Sequence, residues 1–303
     1  MRNGPSGSND VLGELMALAS AAFWAFGSAL VKNVTPRVSA LYINVVRVGC
    51  GALLSVLITV VLGQIGLLGD TPLRVVGILL GCSMAVMLGN LGFVRAIALD
   101  DVSRIFPITN GLYIMFSVVA SVLFVGEMLT WYTVAGGFLV LVGIYLLATG
   151  QPGKSVGPGA TPPRIRLLAM LIGGTAALSW SIGLIGVNDA MKYIEPMPAN
   201  VIRMPFMAMM LTAMATIRGD MRRYQASRQD IVLMALSGLL AGGSSITFVA
   251  ALKWSQPATV AILNSTAPLF LAPLAFMFLH ERATWKVVVG TVICVAGVIL
   301  TFL

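Results

Sequence analysis

Residues 127–131, Glu-Met-Leu-Thr-Trp, decide the fold because they return in similar form at residues 281–285, Glu-Arg-Ala-Thr-Trp. Each copy opens an apolar run, and the copies lie 154 residues apart. The same offset pairs Asn110 with Asn264, Phe116 with Phe270, Gly136 with Gly290 and Gly143 with Gly297. An offset of 156 residues pairs Trp24 with Trp180, Gly27 with Gly183, Asn44 with Asn200 and Arg47 with Arg203. Such different residue types recurring in one order indicate an internal duplication.

The composition predicts a membrane protein. Of 303 residues, 58% are hydrophobic and 10% are charged, and the mean hydropathy is +0.95, whereas soluble domains carry roughly 25% charged residues. Apolar runs of about 20 residues recur, and that length crosses a hydrocarbon layer of ~30 Å. Because lipid offers the backbone no hydrogen-bond partner, these runs should be helices. The alternation typical of a membrane β-barrel is absent from the sequence, so an all-α polytopic membrane protein is predicted.

Ten apolar runs define the predicted membrane helices. They cover residues 11–31, 39–62, 72–98, 102–125, 130–149, 166–187, 197–217, 229–252, 257–279 and 284–303. The predicted division is a loose tail at 1–10, a five-helix repeat at 11–149, a Gly/Pro-rich linker at 150–165 and a second five-helix repeat at 166–303. The linker disfavours helix because proline lacks an amide donor and glycine loses the most conformational entropy.

The odd number of helices in each repeat determines how the repeats are related. After five crossings the chain lies on the opposite face, so the second repeat must enter the membrane in the opposite sense. The predicted fold is therefore ten transmembrane helices arranged as two inverted five-helix repeats. Inverted repeats of this kind build secondary transporters, whose site lies near mid-membrane where the repeats meet.

The residue inventory argues against several other classes of protein. The net charge of +8 does not indicate nucleic-acid binding, because lysine and arginine lie at the ends of apolar runs and form no basic stripe. Cys50, Cys82 and Cys294 lack metal-type spacing and His280 is the only histidine, so we predict neither a metal nor a cofactor. The sequence has no Gly-x-x-x-x-Gly-Lys-Ser/Thr loop. Its Gly-x-Ser-x-Gly match, residues 153–157, falls in the Gly/Pro-rich linker and not between a strand and a helix, so it is no nucleophile elbow, and we predict that the chain is not an enzyme.

The distribution of lysine and arginine predicts an orientation. The loops after odd-numbered helices hold twelve of them: Lys32, Arg37, Arg104, Lys154, Arg164, Arg166, Arg218, Arg222, Arg223, Arg228, Arg282 and Lys286. The opposite side holds four: Arg2, Arg74, Lys192 and Lys253. Because positive residues favour the cytoplasmic side, this count places both termini outside the cytoplasm. We predict a multi-pass protein of the cell (inner) membrane.

A set of residues spread over nearly the whole chain carries a resemblance to a known family. The set is Gly13-Glu14-Leu15 and Trp24 in helix 1, Arg47 and Arg203 in helices 2 and 7, Gly126-Glu127 before helix 5, and His280-Glu281 before helix 10. With the duplication, it resembles the EamA-type carriers of the drug/metabolite transporter superfamily. The resemblance implies ten helices, alternating access and movement of small metabolites, often export of amino acids. It also implies cytoplasmic termini, which conflicts with the charge count.

Two arginines lie inside predicted membrane helices, each three residues after an asparagine: Asn44 with Arg47, and Asn200 with Arg203. Residues three apart share a helix face. An arginine at mid-membrane costs ~2.5–3.5 kcal/mol on insertion scales, so each should face protein or water. The pairs either attract a substrate carboxylate, or are structural, with each arginine snorkelling or binding helix carbonyls. Both interpretations are open at this stage.

The other candidate substrate-binding residues are polar or aromatic groups within helices. They are Asn110 and Asn264, Tyr113, Trp24 and Trp180, and Asn90 with Ser244 and Ser245. An amide both donates and accepts hydrogen bonds, which suits an amino-acid or sugar ligand. The alternative is interhelical hydrogen bonding, worth ~0.6 kcal/mol on average in membranes. The tryptophans either wall a cavity or pack between helices, and Glu14 is a candidate for proton coupling.

Acidic residues, glycines and prolines complete the prediction. Glu127 and Glu281 are expected to complement the positive ends of helices 5 and 10. Glycine pairs are expected to permit close helix contacts at Gly136/Gly143, Gly290/Gly297, Gly77/Gly81 and Gly238/Gly242. A monomer and a homodimer through helices 5 and 10 both fit this pattern. Pro268 and Pro273 are expected to free carbonyls in helix 9 or let it flex.

The predicted function is therefore transport. The chain is expected to be a secondary active transporter of small polar metabolites, an amino-acid or related metabolite exporter foremost, acting by alternating access through a central cavity. The alternative is a nucleotide-sugar or lipid-linked sugar carrier or flippase of the same fold, which would need a larger basic cavity than two arginine pairs supply. The expected partners are a small-molecule substrate and the lipid bilayer.

Overall fold

The computed structural model describes residues 7–31, 34, 38–100, 102–150, 162–220, 226–270 and 285–302, and within these ranges it contains helices and no strand. The helices are α1 Gly7–Val31, α2 Ala40–Val61, α3 Leu73–Leu99, α4 Val102–Ala120, α5 Trp131–Gly150, α6 Pro163–Ala190, α7 Pro196–Ile217, α8 Arg228–Trp254, α9 Pro257–Asn264 and α10 Trp285–Thr301. A short 3₁₀ helix, Ile65–Leu68, follows α2, and a π-type turn, Ser121–Val125, extends α4.

The helix boundaries follow the predicted runs closely. Helix α1 begins at Gly7, so residues 7–10 of the predicted tail are helical, while residues 151–161 of the predicted linker lie outside the described ranges. Seven helices, α1 to α4 and α6 to α8, are long and apolar enough to cross a membrane. The apolar parts of α5 and α10 are somewhat shorter. The predicted all-α, ten-helix membrane fold is confirmed.

Local sequence signals explain where several helices start. Ser39 caps α2 by accepting the Tyr42 N–H at 3.1 Å. Ser227 and Asp230 form a reciprocal capping box at the start of α8, which satisfies two amides that have no partner inside the helix. Helices α6, α7 and α9 each carry a proline in the first turn, where the missing amide hydrogen costs nothing.

Helix α9 stops in the middle of the bundle. It ends at Asn264, residues 265–266 form a turn, and helix resumes at residues 267–270. Pro268 cannot donate to the carbonyl four residues earlier, which is that of Asn264, and its ring clashes with that carbonyl. The Thr266 hydroxyl instead donates to the Leu263 carbonyl at 2.6 Å. This break is the effect expected of Pro268, whereas Pro273 lies outside the described residues.

Equivalent helices of the two repeats run antiparallel. Gly136 of α5 lies against Gly297 of α10, and Gly143 lies against Gly290. A Cβ placed on Gly136 would lie 2.7 Å from the Gly297 carbonyl oxygen, and one on Gly290 would lie 3.0 Å from the Gly143 carbonyl oxygen. The repeat offset exchanges these two contacts, so a pseudo-two-fold axis relates the halves. The prediction of inverted five-helix repeats is confirmed.

The other helix contacts obey the same exchange. Helix α1 packs along α8, while its equivalent α6 packs along α3, the equivalent of α8. Helix α2 packs against its own equivalent, α7. At the α1–α8 contact, the hydroxyls of Ser20 and Ser244 each donate to the other residue's carbonyl oxygen at 2.9 Å. The repeats are therefore interleaved and share one central space.

The glycine predictions have mixed outcomes. Gly238 and Gly242 do allow close contact of α8 with α2, where a Cβ on Gly242 would lie 2.9 Å from the Gly51 Cα. The prediction for Gly77 and Gly81 is wrong, because no atom of the described residues lies within 4 Å of a Cβ placed on either. The glycines of α5 and α10 contact each other inside one chain, so a homodimer through these helices would need their other faces.

Candidate functional site

A cavity of about 340 Å³ lies between the two repeats. Helices α1 to α4 and α6 to α9 all contribute to its wall. The structure brings together eleven of the predicted substrate-binding residues there: Trp24, Asn44, Arg47, Asn90, Asn110, Tyr113, Trp180, Arg203, Ser244, Ser245 and Asn264. Residues far apart in sequence thus converge at the place where inverted repeats put their binding sites.

Two predicted residues are not part of this lining. Asn200 is fully buried behind the wall, where its Oδ1 accepts the Ser245 hydroxyl at 2.8 Å. Asn200 therefore orients a residue that does line the cavity. Glu14 lies near the start of α1, away from the lining, beside Gly13, which packs closely against Ser255. Its role in coupling stays a prediction.

The two lining arginines have no salt-bridge partner among the described residues. Arg203 is 5% exposed, and its Nε and Nη1 atoms are buried without any hydrogen-bond partner. The Nε of Arg47, its equivalent, is also buried and unpartnered. A guanidinium keeps its charge in proteins, and a buried charge is costly unless it is paired. Both side chains are therefore poised to gain from an incoming hydrogen-bond acceptor.

Aromatic rings form another part of the wall. The Trp180 ring lies 5.4 Å from Phe93 and 6.0 Å from Tyr113, centroid to centroid, and meets Tyr113 edge to face. Phe93 in turn lies 6.1 Å from Phe106. The Trp180 Nε1–H donates to the Asn90 Oδ1 at 3.0 Å, which satisfies the indole donor and fixes the ring. Trp24, which is the equivalent of Trp180 in the first repeat, is 40% exposed.

The asparagine amides differ in how far the helices already satisfy them. Asn110 Nδ2 donates to the Phe106 carbonyl at 3.0 Å, and Asn44 Nδ2 donates to the Ala40 carbonyl at 2.9 Å. Asn264, the equivalent of Asn110, makes no such bond within the described residues. Its side chain is therefore the freer of the two amides to bind a ligand.

One end of the cavity is closed by apolar packing. The carboxyl ends of α6 and α8 meet the amino ends of α7 and α9 there. We call the packed residues the closed-end cluster: Met191, Ile194, Ala199, Leu252, Val260 and Leu263. None is more than 6% exposed. Beside them, the Lys253 ammonium donates to the Met191 carbonyl and to Glu195, both at 3.1 Å.

Equivalent residues of the two repeats differ in burial. Asn200 and Arg203 of α7, on the side of the closed-end cluster, are buried, whereas Asn44 and Arg47 of α2 are half-buried. The two pairs lie near opposite faces because α2 and α7 are antiparallel. Among the described residues, the cavity is therefore more enclosed at the α7 end than toward the end at which α2 begins, which we call the accessible end.

Glu127 links the two repeats at the closed end. Its Oε2 accepts the Ala258 N–H at 3.2 Å, and the residue is 8% exposed. The predicted partner of Glu127, the start of helix 5, is thus corrected: this acid of the first repeat caps α9 of the second. Burial raises the pKa of the Glu127 carboxyl, and the Ala258 bond opposes that rise. Glu281, its equivalent, lies outside the described residues.

Several lining residues were missed by the sequence reasoning. They include Ser20, Phe93, Phe106, Met204 and Phe248. Most are apolar side chains in apolar helices, and their direction depends on how the helices pack. The one available signal concerned Ser20, since a small hydroxyl in an apolar run often bonds a neighbouring helix. Across the described ranges, no group of three or more metal-ligating side chains comes together.

Comparison with known proteins supports this architecture. The model of the EamA-like transporter family matches residues 11–149 and again residues 167–303. An uncharacterized transporter of Archaeoglobus fulgidus is 23% identical over 293 residues, which cover 95% of this chain and 97% of that protein. A protein crystal structure superposes with a TM-score of 0.79 at 15% identity and 96% coverage of both chains, a likeness that concerns the fold alone.

Proposed function

The chain belongs to the EamA-like transporter family and is a transporter of small molecules; we propose that it is a secondary active transporter working by alternating access. The observation that carries the proposal is the cavity between inverted repeats, closed at one end by the closed-end cluster. If the two repeats exchange conformations, the equivalent residues at the other face close and this end opens. Such an exchange needs no nucleotide-binding domain.

The proposed substrates are small polar metabolites, with amino acids and related metabolites foremost, moved outward. A volume of about 340 Å³ is near the lower end of the ~300–1,000 Å³ typical of small-molecule sites. Asn264 and Asn90 present amides to the cavity, and an amide can bind either a carboxylate or an amino group. A nucleotide-sugar or lipid-linked sugar is the bulkier alternative and is less well matched to this volume.

The proposed location is the cell (inner) membrane. The apolar helices and the family make the chain a multi-pass membrane protein. A secondary transporter that exports metabolites must act in the membrane that bounds the cytoplasm, where an ion or substrate gradient exists. The charge count places the termini outside the cytoplasm, whereas the family resemblance implies cytoplasmic termini. The accessibility of a tag at each terminus in intact cells decides between the two.

Counterflow in proteoliposomes tests the proposed function. We expect vesicles loaded with a mixture of unlabelled amino acids and related carboxylic acids to accumulate labelled substrate without ATP. Asn264→Ala should lower the initial rate about tenfold, because an unpaired polar group on a bound substrate costs ~1–3 kcal/mol. Gln256→Ala, an exposed position just before the same helix, is the matched control and should transport normally. Folded protein that exchanges none of these compounds would contradict the proposal.

A further inference from the structure

The charge of the cavity is one-sided. Among the described residues that line it, the charged ones are Arg47 and Arg203, and none is aspartate, glutamate, lysine or histidine. The nearby acids point elsewhere: Asp189 pairs with Lys192 at 2.7 Å and Glu195 pairs with Lys253. The site therefore presents positive charge without the negative charge that would balance it.

Arg203 is the stronger of the two cationic groups. Its side chain is 5% exposed and borders the cavity. Two of its three guanidinium nitrogens, Nε and Nη1, have no hydrogen-bond partner among the described residues. Carboxylates bind guanidinium groups through short, charge-assisted and often bidentate hydrogen bonds. An anion entering the cavity would thus lie beside a buried positive charge that has no ion-pair partner among the described residues.

The same cavity disfavours an ammonium group. A cation here would meet two arginines of like charge and no carboxylate among the described lining residues, and like-charge juxtaposition is a strong determinant of specificity. Neutral acceptors such as the Asn264 amide are weaker partners for an ammonium than a carboxylate is. For a zwitterionic amino acid, the carboxylate therefore contributes favourably to the free energy of binding and the ammonium group contributes unfavourably.

The aromatic residues complete the recognition pattern. Trp180, Phe93 and Tyr113 place ring edges and faces along the cavity. Ring pairs favour tilted or edge-to-face geometry, and the cavity walls already hold these rings in such an arrangement. A flat apolar group on the substrate could extend the cluster while its charged end reaches Arg203.

We infer that the preferred substrate is an organic anion with an aromatic or similarly flat apolar body, whose carboxylate pairs with Arg203. This inference rests on the proposed transport function and narrows it. It favours carboxylic acids related to amino acids over amino acids that carry a free ammonium group. Arg47, half-buried toward the accessible end, attracts the anion on its way in.

Three ligands that differ in charge test the inference on the purified full-length protein in nanodiscs. They are 3-phenylpropionate, phenylalanine and 2-phenylethylammonium, and binding is measured by isothermal titration calorimetry. We expect 3-phenylpropionate to bind about tenfold or more tightly than phenylalanine, because the two differ by one repelled ammonium group, and we expect no binding of 2-phenylethylammonium. Propionate, which lacks the ring, should bind more weakly than 3-phenylpropionate.

Variants locate the anion. Arg203→Gln should weaken 3-phenylpropionate binding about 30-fold or more, which is the lower end of the effect expected when one partner of a buried charge pair is removed. Arg203→Lys should retain part of the affinity. Arg218→Gln removes an exposed charge at the end of the same helix and should change nothing. If Arg203→Gln does not fold, the ligand series on the unaltered protein decides alone.

Several outcomes overturn the inference. They are equal or tighter binding of phenylalanine, binding of the ammonium compound, no binding of 3-phenylpropionate at millimolar concentration, and undiminished binding to Arg203→Gln. Failure of the inference and failure of transport are distinguishable. Counterflow of phenylalanine but not of 3-phenylpropionate would leave the transport function standing and remove the inference. Selective anion binding without any counterflow would support the inference and contradict the transport function.

Discussion

Gly143→Leu is expected to lower the yield of folded protein about tenfold or more. A Cβ at this position would lie 2.6 Å from the Cys294 Sγ and 2.8 Å from the Gly290 carbonyl oxygen. The backbone of α10 cannot move away without breaking the reciprocal contact between Gly136 and Gly297. Overpacking a tight core typically costs ~1–3 kcal/mol, and each 1.4 kcal/mol is about a tenfold change in an equilibrium.

The matched control for Gly143→Leu is Gly81→Leu. Gly81 is an exposed helical glycine, and in the part of the chain that the structure describes nothing lies within 4 Å of an added Cβ. A leucine there should face lipid and be tolerated. The folded yield of both variants can be compared by fluorescence-detected size-exclusion chromatography of fusions to a fluorescent protein. Equal yields would show that α5 and α10 do not meet through their glycines within one chain.

Arg203→Gln is expected to lower the rate of substrate exchange about 30-fold or more while leaving the protein folded. Losing one partner of a buried, hydrogen-bonded charge pair costs ~2–5 kcal/mol, and this loss falls on the substrate complex. The empty protein should be as stable as before or more stable, because the substitution removes a buried charge that has no ion-pair partner among the described residues and two guanidinium nitrogens without a hydrogen bond. Thermal unfolding and initial counterflow rates, measured on the same preparation, separate the two effects.

This result would also decide between the two interpretations of the intramembrane arginines. A structural arginine predicts the opposite pattern, in which Arg203→Gln lowers the unfolding temperature and the surviving folded protein transports normally. Arg203→Lys should fall between the unaltered protein and Arg203→Gln, since an ammonium keeps the charge but loses the planar fork of donors. Arg47→Gln should have a smaller effect on exchange, because Arg47 is half-buried at the accessible end.

The sequence predicts the fold almost completely because two independent signals agree. Hydropathy places the helices, and the duplicated Trp131 and Trp285 with their following glycines set the repeat. The break in α9 follows from Pro268, which acts locally. The partner of Glu127 was not predictable in the same way, because Ala258 lies 131 residues away and reaches Glu127 only through the interleaving of the repeats.

The candidate site is predicted less completely, for a geometric reason. Polar groups such as Asn90 and Asn264 in apolar helices must face protein or water, so their place on the cavity wall could be anticipated. Apolar residues such as Phe93 and Met204 carry no comparable constraint, since lipid and cavity suit them equally. Asn200 shows the limit of the polar rule, because its side chain is buried behind the wall, where its Oδ1 accepts the Ser245 hydroxyl and its Nδ2 has no partner among the described residues.

The most direct test of the account is the accessibility of two equivalent positions from the two sides of the membrane. Val48→Cys and Met204→Cys, at equivalent positions that both line the cavity, would be made in a chain with Cys50, Cys82 and Cys294 replaced by alanine, and labelled in oriented vesicles with an impermeant maleimide. Inverted repeats around an alternating cavity predict that the two cysteines label from opposite faces, with substrate shifting their labelling rates in opposite directions. Labelling of both cysteines from the same face would contradict the account.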